Sequence, residues 1–226
     1  MPEPPVSLMQ RVANVNSPMI YARRALHSYS EFLRAMKSFS DINLISCMLD
    51  WGCGCGWVVS LFMKNVRIHE VYGYDIDRET AEWCSRYQKP GHFSVINPFP
   101  PTHYPNNMFD IIISGSVLSY FQREVQLSWL QEMKRIIIPG GLFFASVHGD
   151  FAASFTPPQE EVKKNGISDS AMDPNLDGIA PEGYYRSVYQ TKCYTVRELG
   201  KYFRVVDYQE RVMDNFQDLV ILQKKR

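Results

Sequence analysis

The chain has 226 residues, of which 45% are hydrophobic and 21% are charged, and its 24 Lys and Arg balance its 24 Asp and Glu. This composition indicates one soluble globular domain, and the absence of a basic excess argues against a nucleic-acid partner. No apolar run approaches the roughly 20 residues of a membrane span, and the first residues lack the pattern of a signal peptide. We therefore expect a cytoplasmic protein with no membrane partner. Its five cysteines lack zinc-site spacing, so we expect reduced thiols and no metal.

The first 40 residues predict a loose arm followed by one amphipathic helix. Residues 1–16 show no clear pattern, whereas Ser17 and Pro18 resemble an N-cap followed by proline at the first helical position. Apolar residues then recur every four positions from Tyr21, which predicts a helix from near residue 18 to near residue 38. Such an aromatic stripe usually packs in a core. The alternative is a lid over a ligand cleft, with Tyr21 as a substrate contact.

The next segment organises the rest of the chain. An apolar run, residues 44–49, is followed by Asp50 and then by an amphipathic stretch, residues 58–65. Three glycines at alternate positions lie between them: Gly52, Gly54 and Gly56. This pattern predicts a buried parallel strand, a tight loop and a helix whose N-terminus faces a ligand. Asp50 adds a carboxylate at the carboxyl end of the strand, where open α/β sheets bind their ligands.

Further strands and helices alternate after this loop. A predicted strand, residues 71–75, ends in Asp75, 19 residues after Gly56 (75 − 56) and therefore placed to accept the hydroxyls of a ribose. Asp77 is predicted to cap the next helix. The further predicted elements are helices at 78–87 and 123–137 and strands at 92–96, 109–114 and 142–147, with a break at residues 139–141. The alternation predicts an α/β fold with a parallel, doubly wound sheet.

The pattern changes after residue 150. Residues 151–190 are rich in Pro, Gly, Ser and acidic residues and show no periodicity, which indicates a functional or disordered segment. Thr195 and Glu198 resemble a capping box that opens a helix to residue 202, and residues 203–208 and 218–222 predict an antiparallel hairpin. We divide the single domain, 1–226, into an N-terminal arm and lid-like helix (1–40), a cofactor-binding core (41–150), a substrate-side insertion (151–194) and a C-terminal helix with a closing hairpin (195–226).

Four segments together resemble the class I S-adenosylmethionine-dependent methyltransferases. Residues 49–56 (LDWGCGCG) resemble the first motif of this family and residues 73–77 (GYDID) the second. Residues 109–112 (FDII) and 130–141 (LQEMKRIIIPGG) resemble its fourth strand and its later helix-to-loop signature. The resemblance implies a Rossmann-like, doubly wound, seven-stranded sheet, mostly parallel with an antiparallel C-terminal strand. It also implies S-adenosyl-L-methionine as the cofactor.

The family motifs imply a set of cofactor contacts. Asp50 and the backbone of the loop would hold the methionine portion; the loop residues are Gly52, Cys53, Gly54 and Gly56. Asp75 would bind the ribose, and Ile76 would lie against the adenine. Asn97 would sit near the adenine amino group, and Ser114 would line the methyl-transfer side of the cleft.

A narrower resemblance points to type 11/12-like bacterial methyltransferases, which are often encoded near genes for sugar or natural-product assembly. It rests on residues 83–84, 116–118, 148–149, 184–191 and 217–220. The chain departs from many relatives at two positions, with Trp57 in place of an arginine and Tyr120 in place of a histidine.

Two residues are candidates for the chemistry. His148, at the end of the last parallel strand, is the first candidate general base, with Tyr120 as a second catalytic candidate. The proposed acceptor contacts are Tyr21, Tyr185, Arg186, Tyr189 and Gln217. For each of them, packing is the alternative.

These patterns favour an enzyme that methylates a hydroxyl or amine of a small molecule, such as a sugar or secondary metabolite. One alternative is a non-catalytic regulator or partner subunit that binds S-adenosylmethionine, which the departures at Trp57 and Tyr120 leave open. A nicotinamide-dependent oxidoreductase is less favoured. Its glycine motif needs a third glycine three residues after Gly54, where Trp57 stands.

Overall fold

A computed structural model of the chain describes residues 2–155 and 159–226. The helices are α1 (Val6–Ala13), α2 (Pro18–Phe39), α3 (Trp57–Asn65), α4 (Arg78–Tyr87), α5 (Arg123–Ile136), α6 (Asp150–Phe155), α7 (Gln159–Asn165) and α8 (Lys192–Leu199). The strands are β1 (Cys47–Trp51), β2 (Glu70–Asp75), β3 (His92–Val95), β4 (Phe109–Ser114), β5 (Ile137–Val147), β6 (Ile167–Met172), β7 (Arg186–Gln190), β8 (Arg204–Met213) and β9 (Gln217–Gln223). Seven strands form one mostly parallel sheet and β6 pairs with β7 separately. The predicted α/β, Rossmann-like class with an antiparallel last strand is confirmed.

The chain divides into two compact units, residues 1–97 and 98–226. In the first unit, β2 lies between β1 and β3 and pairs with both in parallel. Strand β1 is buried along nearly its whole length, which is typical of a parallel strand covered on both faces. Helix α4 begins after Asp77, whose side chain accepts a hydrogen bond from the Glu79 backbone N–H, as the sequence predicts.

Part of the N-terminal arm is helical, so the prediction of a loose arm is wrong for residues 6–13. Helix α1 begins after Pro5, whose carbonyl accepts hydrogen bonds from the N–H groups of Leu8 and Met9. Both of these side chains are buried in the core of the first unit. The helix has only eight residues and no side-chain N-cap, so burial rather than a local sequence signal stabilises it.

In the second unit, β5 pairs with β4 in parallel and with β9 antiparallel, and β9 pairs with β8 to close the predicted hairpin. The prediction that β5 begins at residue 142 is wrong, because the strand extends back to Ile137 through Pro139, Gly140 and Gly141. The N–H of Gly140 donates to the carbonyl of Lys224, and the N–H of Lys224 donates to Gly141. Pairing with the chain end thus continues the strand where the sequence alone indicates a break.

The insertion after residue 150 is largely ordered. The described part contains α6, α7 and the antiparallel pair β6–β7, and residues 156–158 lie outside the description. Helix α8 starts at Lys192 rather than at 195, because Thr191 is its N-cap and accepts a hydrogen bond from the Tyr194 N–H at 3.1 Å. The predicted boundary at residue 194 therefore falls inside a helix. Among the described residues, no helix has the length and apolarity needed to cross a membrane.

Candidate functional site

The glycine loop at the carboxyl end of β1 is held by the neighbouring strand. The N–H groups of Gly52 and Cys53 both donate to the carbonyl of Tyr74, at 2.9 and 3.1 Å. The N–H of Gly54 donates to Oδ2 of Asp75 at 2.9 Å. The loop glycines have φ angles of +74°, +52° and +70° at Gly52, Gly54 and Gly56, a region that glycine adopts without strain. The structure therefore joins the predicted loop directly to the predicted ribose acid.

The carboxylate of Asp75 accepts hydrogen bonds from the backbone N–H groups of Gly54 and Asp77. Besides the bond from Gly54, Oδ1 accepts one from the Asp77 N–H at 2.9 Å. Burial raises the pKa of Asp75 to about 6, although these backbone hydrogen bonds oppose the shift. Each carboxylate oxygen can accept more than one hydrogen bond, so the carboxylate can hold the loop and still accept from a ligand hydroxyl.

Asp50, near the end of β1, is a deeply buried carboxyl, with 4% of its surface exposed. It accepts a hydrogen bond from the backbone of Val59, in the first turn of α3. This contact substitutes for a side-chain cap, because the N-cap residue is Gly56. Burial and, secondly, the charge of Asp75 raise the pKa of Asp50 to about 8. Asp50 is therefore mostly protonated at neutral pH.

Helix α1 lies against the glycine loop. A Cβ atom added to Gly54 would stand 2.5 Å from Cγ1 of Val12, so the two residues are in direct contact. Arg11 forms ion pairs at the N-terminus of α4, with Nε 2.6 Å from Oδ2 of Asp77 and Nη2 2.6 Å from Glu79. In the first unit, helix α1 therefore covers the glycine loop. The sequence did not indicate this packing.

Tyr21 belongs to the core of the first unit. Its ring centroid is 4.9 Å from that of Trp57, and both residues are buried in one cluster with Leu8 and Met9. Tyr21 therefore packs in the core as the alternative describes, and its role as a substrate contact stays a prediction. The indole Nε1 of Trp57 is buried without a hydrogen-bond partner among the described residues, so the loop region retains one unpaired donor.

The remaining predicted cofactor residues lie at strand ends. Ile76 directly follows β2 and is half-buried, while Asn97 follows β3 and is exposed. The Cys53 thiol is buried and contacts the Gly54 carbonyl at 3.7 Å. In the second unit, Ser114 is the last residue of β4, and its buried hydroxyl has no partner among the described residues. Nowhere in residues 2–155 or 159–226 do three or more His, Cys, Asp or Glu side chains form a possible metal site.

His148 occupies a buried position directly after β5 in the second unit. Its Nδ1 lies 3.1 Å from the carbonyl of Val188, and its Nε2 lies 3.3 Å from Nε2 of Gln217. Burial lowers the pKa of His148 to about 4, although the hydrogen bond to Val188 opposes the shift. The imidazole is therefore neutral at physiological pH.

Aromatic rings surround this imidazole. Tyr189 stacks on His148 with a centroid distance of 4.9 Å, and Tyr120 meets the imidazole edge-on at 5.7 Å. Tyr185 stacks on Tyr120 at 4.4 Å, and Phe216 contacts His148 at 5.5 Å. The second unit thus brings together five predicted residues, namely Tyr120, His148, Tyr185, Tyr189 and Gln217. Phe216, which sequence reasoning missed, immediately precedes Gln217 in the turn between β8 and β9.

The guanidinium of Arg186 donates to three backbone carbonyls. It donates to Gly183 at 2.9 Å, to Asp169 at 3.3 Å and to Ser170 at 3.2 Å. These bonds fasten the segment around β6 and β7. A contact of Arg186 with the acceptor stays a prediction.

Comparison with known proteins gives a family match for part of the chain and a fold. Residues 49–145 match the family described as "Methyltransferase domain". No curated protein matches the chain significantly.

Three solved structures illustrate the fold. A methyltransferase from Methanosarcina mazei is 18% identical with a TM-score of 0.62, over 84% of this chain and 97% of that one. The N-methyltransferase NodS from Bradyrhizobium japonicum WM9, in complex with S-adenosyl-L-homocysteine, is 14% identical with a TM-score of 0.62, over 97% of each chain. The 1,6-didemethyltoxoflavin-N1-methyltransferase of Burkholderia thailandensis is 18% identical with a TM-score of 0.61, over 89% of this chain and 79% of that one. At these identities the similarity establishes the fold.

Proposed function

We propose that this chain, whose residues 49–145 match a methyltransferase-domain family, uses S-adenosyl-L-methionine to methylate a hydroxyl or amine of a small molecule. The observation that carries the proposal is the hydrogen bond between Gly54 and Asp75. It joins the glycine loop after β1 to the acid after β2. A ligand with a ribose beside a compact charged group needs these two features together.

The residues of the first unit fit this cofactor. Glycines carry no side chain that would keep a ligand away from the loop backbone, and the N-terminus of α3 favours negative charge such as a carboxylate. The unpaired Nε1–H of Trp57 offers a further donor. Asp75 would accept the ribose hydroxyls, and Asp50 would face the ammonium end of the methionine portion. When bound, the cofactor supplies a methyl group on a positively charged sulfur.

The second unit supplies groups suited to an acceptor. Methyl transfer is an in-line displacement, so the protein contributes mainly by orienting the acceptor and excluding water. The rings of Tyr120, Tyr185 and Tyr189 offer apolar faces for that orientation. His148 is neutral, so it can accept the proton that the acceptor loses.

Several observations favour a small acceptor. The net charge is zero, whereas a nucleic-acid methyltransferase would usually carry a basic surface. Two of the structural neighbours are N-methyltransferases, and the name of one of them specifies a small molecule, 1,6-didemethyltoxoflavin. A sugar or a secondary metabolite remains the acceptor class that we propose.

The proposal is tested first by binding and then by turnover. Calorimetry should detect S-adenosylmethionine and S-adenosylhomocysteine, and a nicotinamide dinucleotide serves as the control ligand. An assay for S-adenosylhomocysteine release against a panel of hydroxyl and amine acceptors then tests turnover, with His148→Asn as the matched variant. Binding of the nicotinamide dinucleotide alone would contradict the cofactor assignment. Tight cofactor binding without turnover on any acceptor would favour the non-catalytic alternative.

A further inference from the structure

The side-chain amide of Gln217 lies between the hydroxyls of Ser146 and Ser116 and the ring of His148. The backbone N–H of Ser116 donates to the hydroxyl oxygen of Ser146 at 2.7 Å. The Ser146 hydroxyl then donates its own hydrogen to Oε1 of Gln217, at 2.6 Å. With Oε1 as the acceptor, the amide NH₂ group faces the other way. It lies 2.8 Å from Oγ of Ser116 and 3.3 Å from Nε2 of His148.

This orientation matches one protonation state of the imidazole. An amide N–H can only donate, so Nε2 of His148 must carry a lone pair. At the other nitrogen, the carbonyl of Val188 can only accept, so Nδ1 must carry the proton. The Val188 carbonyl selects this tautomer, and the amide of Gln217 as oriented in the structure agrees with it. The hydrogen bonds run in one direction, from the Ser116 N–H through Ser146, Gln217 and His148 to the Val188 carbonyl.

The first residue of this chain of hydrogen bonds has an unusual backbone. Ser116 has a φ of +59°, a conformation that residues other than glycine rarely adopt. Such conformations persist where the surroundings hold them, often beside functional sites. Here Ser116 is held at its N–H by Ser146 and at its hydroxyl by Gln217.

We propose that Gln217 is a positioning residue, which keeps Nε2 of His148 as the atom that takes the acceptor's proton. The proposal rests on the methyl-transfer function given above. In the absence of an acceptor, the amide of Gln217 occupies Nε2 through a bond of 3.3 Å, longer than its 2.8 Å bond to Ser116. An incoming O–H or N–H group can replace the weaker contact while the amide keeps the stronger one.

The resulting step transfers one methyl group to the acceptor and one proton to His148. A bond forms between the acceptor atom and the methyl carbon, the bond from that carbon to sulfur breaks, and its electron pair remains on sulfur. The acceptor's proton moves to Nε2 of His148, and the imidazole becomes positively charged while Nδ1–H stays bonded to Val188. Burial disfavours that charge, so the proton then leaves to solvent and restores the neutral ring.

Nitrogen NMR of the ring tests the tautomer without cofactor or acceptor. We expect the ¹⁵N-labelled protein at neutral pH to show a bare Nε2 and a protonated Nδ1 for His148, whose signals His148→Asn identifies. In Gln217→Glu a carboxylate replaces the donor, so the pKa of His148 should rise by more than about one pH unit. Ser146→Ala, which frees the amide to rotate, should move the signals in the same direction by less.

Gln209→Glu is the matched control, because Gln209 lies on β8 and donates to Asp207 at 2.7 Å. It should leave the signals of His148 unchanged. A proton on Nε2 in the unaltered protein, or an unchanged His148 in Gln217→Glu, would overturn the proposal.

Kinetics separate positioning from a purely structural role. Gln217→Leu should lower kcat about tenfold or more, since general-base catalysis contributes about 10²–10⁴-fold, while KM for S-adenosylmethionine stays unchanged. In Gln217→Glu the acid limb of the kcat profile should move to higher pH together with the pKa of His148. Full kcat in Gln217→Leu would refute the role. The expected tautomer in a protein that methylates no acceptor would refute the proposed function and leave the positioning intact.

Discussion

Cofactor binding should release a proton, because Asp50 is protonated before the ligand arrives. Its pKa of about 8 means that about one molecule in ten carries the carboxylate at pH 7. An ammonium group placed beside Asp50 favours the carboxylate. Ionising Asp50 at pH 7 costs about 1.4 kcal/mol, which corresponds to about a tenfold loss of affinity. For a ligand whose amine stays protonated, affinity should therefore rise about tenfold from pH 7 to well above pH 8.

The direction of this pH dependence follows from which protonation state of Asp50 the ligand prefers. The free protein holds a proton that the complex does not, so binding weakens as the pH falls through the pKa of the free protein. Asp75, whose pKa is about 6, is already mostly ionised at pH 7. The change above that pH therefore belongs to Asp50.

Calorimetry in two buffers with different ionisation heats measures this release directly. With S-adenosylhomocysteine at pH 7, we expect about 0.9 proton to leave per ligand bound. Asp50→Asn is the matched variant, because its amide oxygen can still accept the hydrogen bond from Val59, while the proton release should disappear. Equal affinity at about pH 7 and pH 8.5, with no proton released by the unaltered protein, would refute the reasoning.

Two further predictions concern the cover that α1 forms over the loop. Gly54→Ala should lower the free energy of unfolding by about 2–4 kcal/mol in urea denaturation, because it adds left-handed backbone strain and a clash with Val12. Adding Val12→Ala to Gly54→Ala should restore only the part of the lost stability that is due to the clash. Full restoration would show that left-handed backbone strain at residue 54 contributes nothing. Arg11→Ala should cost about 1–2 kcal/mol, since the Asp77 side chain is only 5% exposed. Arg78→Ala breaks an exposed ion pair and should cost below about 0.5 kcal/mol; equal losses would refute a role for burial.

The parallel core could be predicted because its signals are local. The apolar run before Asp50 and the N-cap at Asp77 each specify an element within a few residues, and both elements appear as expected. Helix α1 has no such signal, since its side chains matter only when they meet the core. The extension of β5 also depends on a distant partner, Lys224.

The candidate site likewise combines residues that a local sequence signal predicts with residues that only the fold brings together. Asp75 could be placed because its distance from Gly56 along the sequence reflects a regular strand–helix–strand unit. The hydrogen-bonded chain at His148 could not, since Gln217 is 101 residues from Ser116 and 71 from Ser146. No spacing rule connects such residues. Only the fold reveals that a glutamine amide lies against the bare nitrogen of the imidazole.

The low pKa of His148 also bears on the acceptor. An aliphatic amine carries an extra proton at neutral pH, and removing it before attack requires a base stronger than a histidine whose pKa is about 4. A hydroxyl or a weakly basic ring nitrogen is different, because its proton becomes acidic only as the new bond to carbon forms. A weak base that is always neutral suits that timing, since it is never blocked by a proton of its own. The chemistry of His148 therefore favours uncharged acceptors over aliphatic amines.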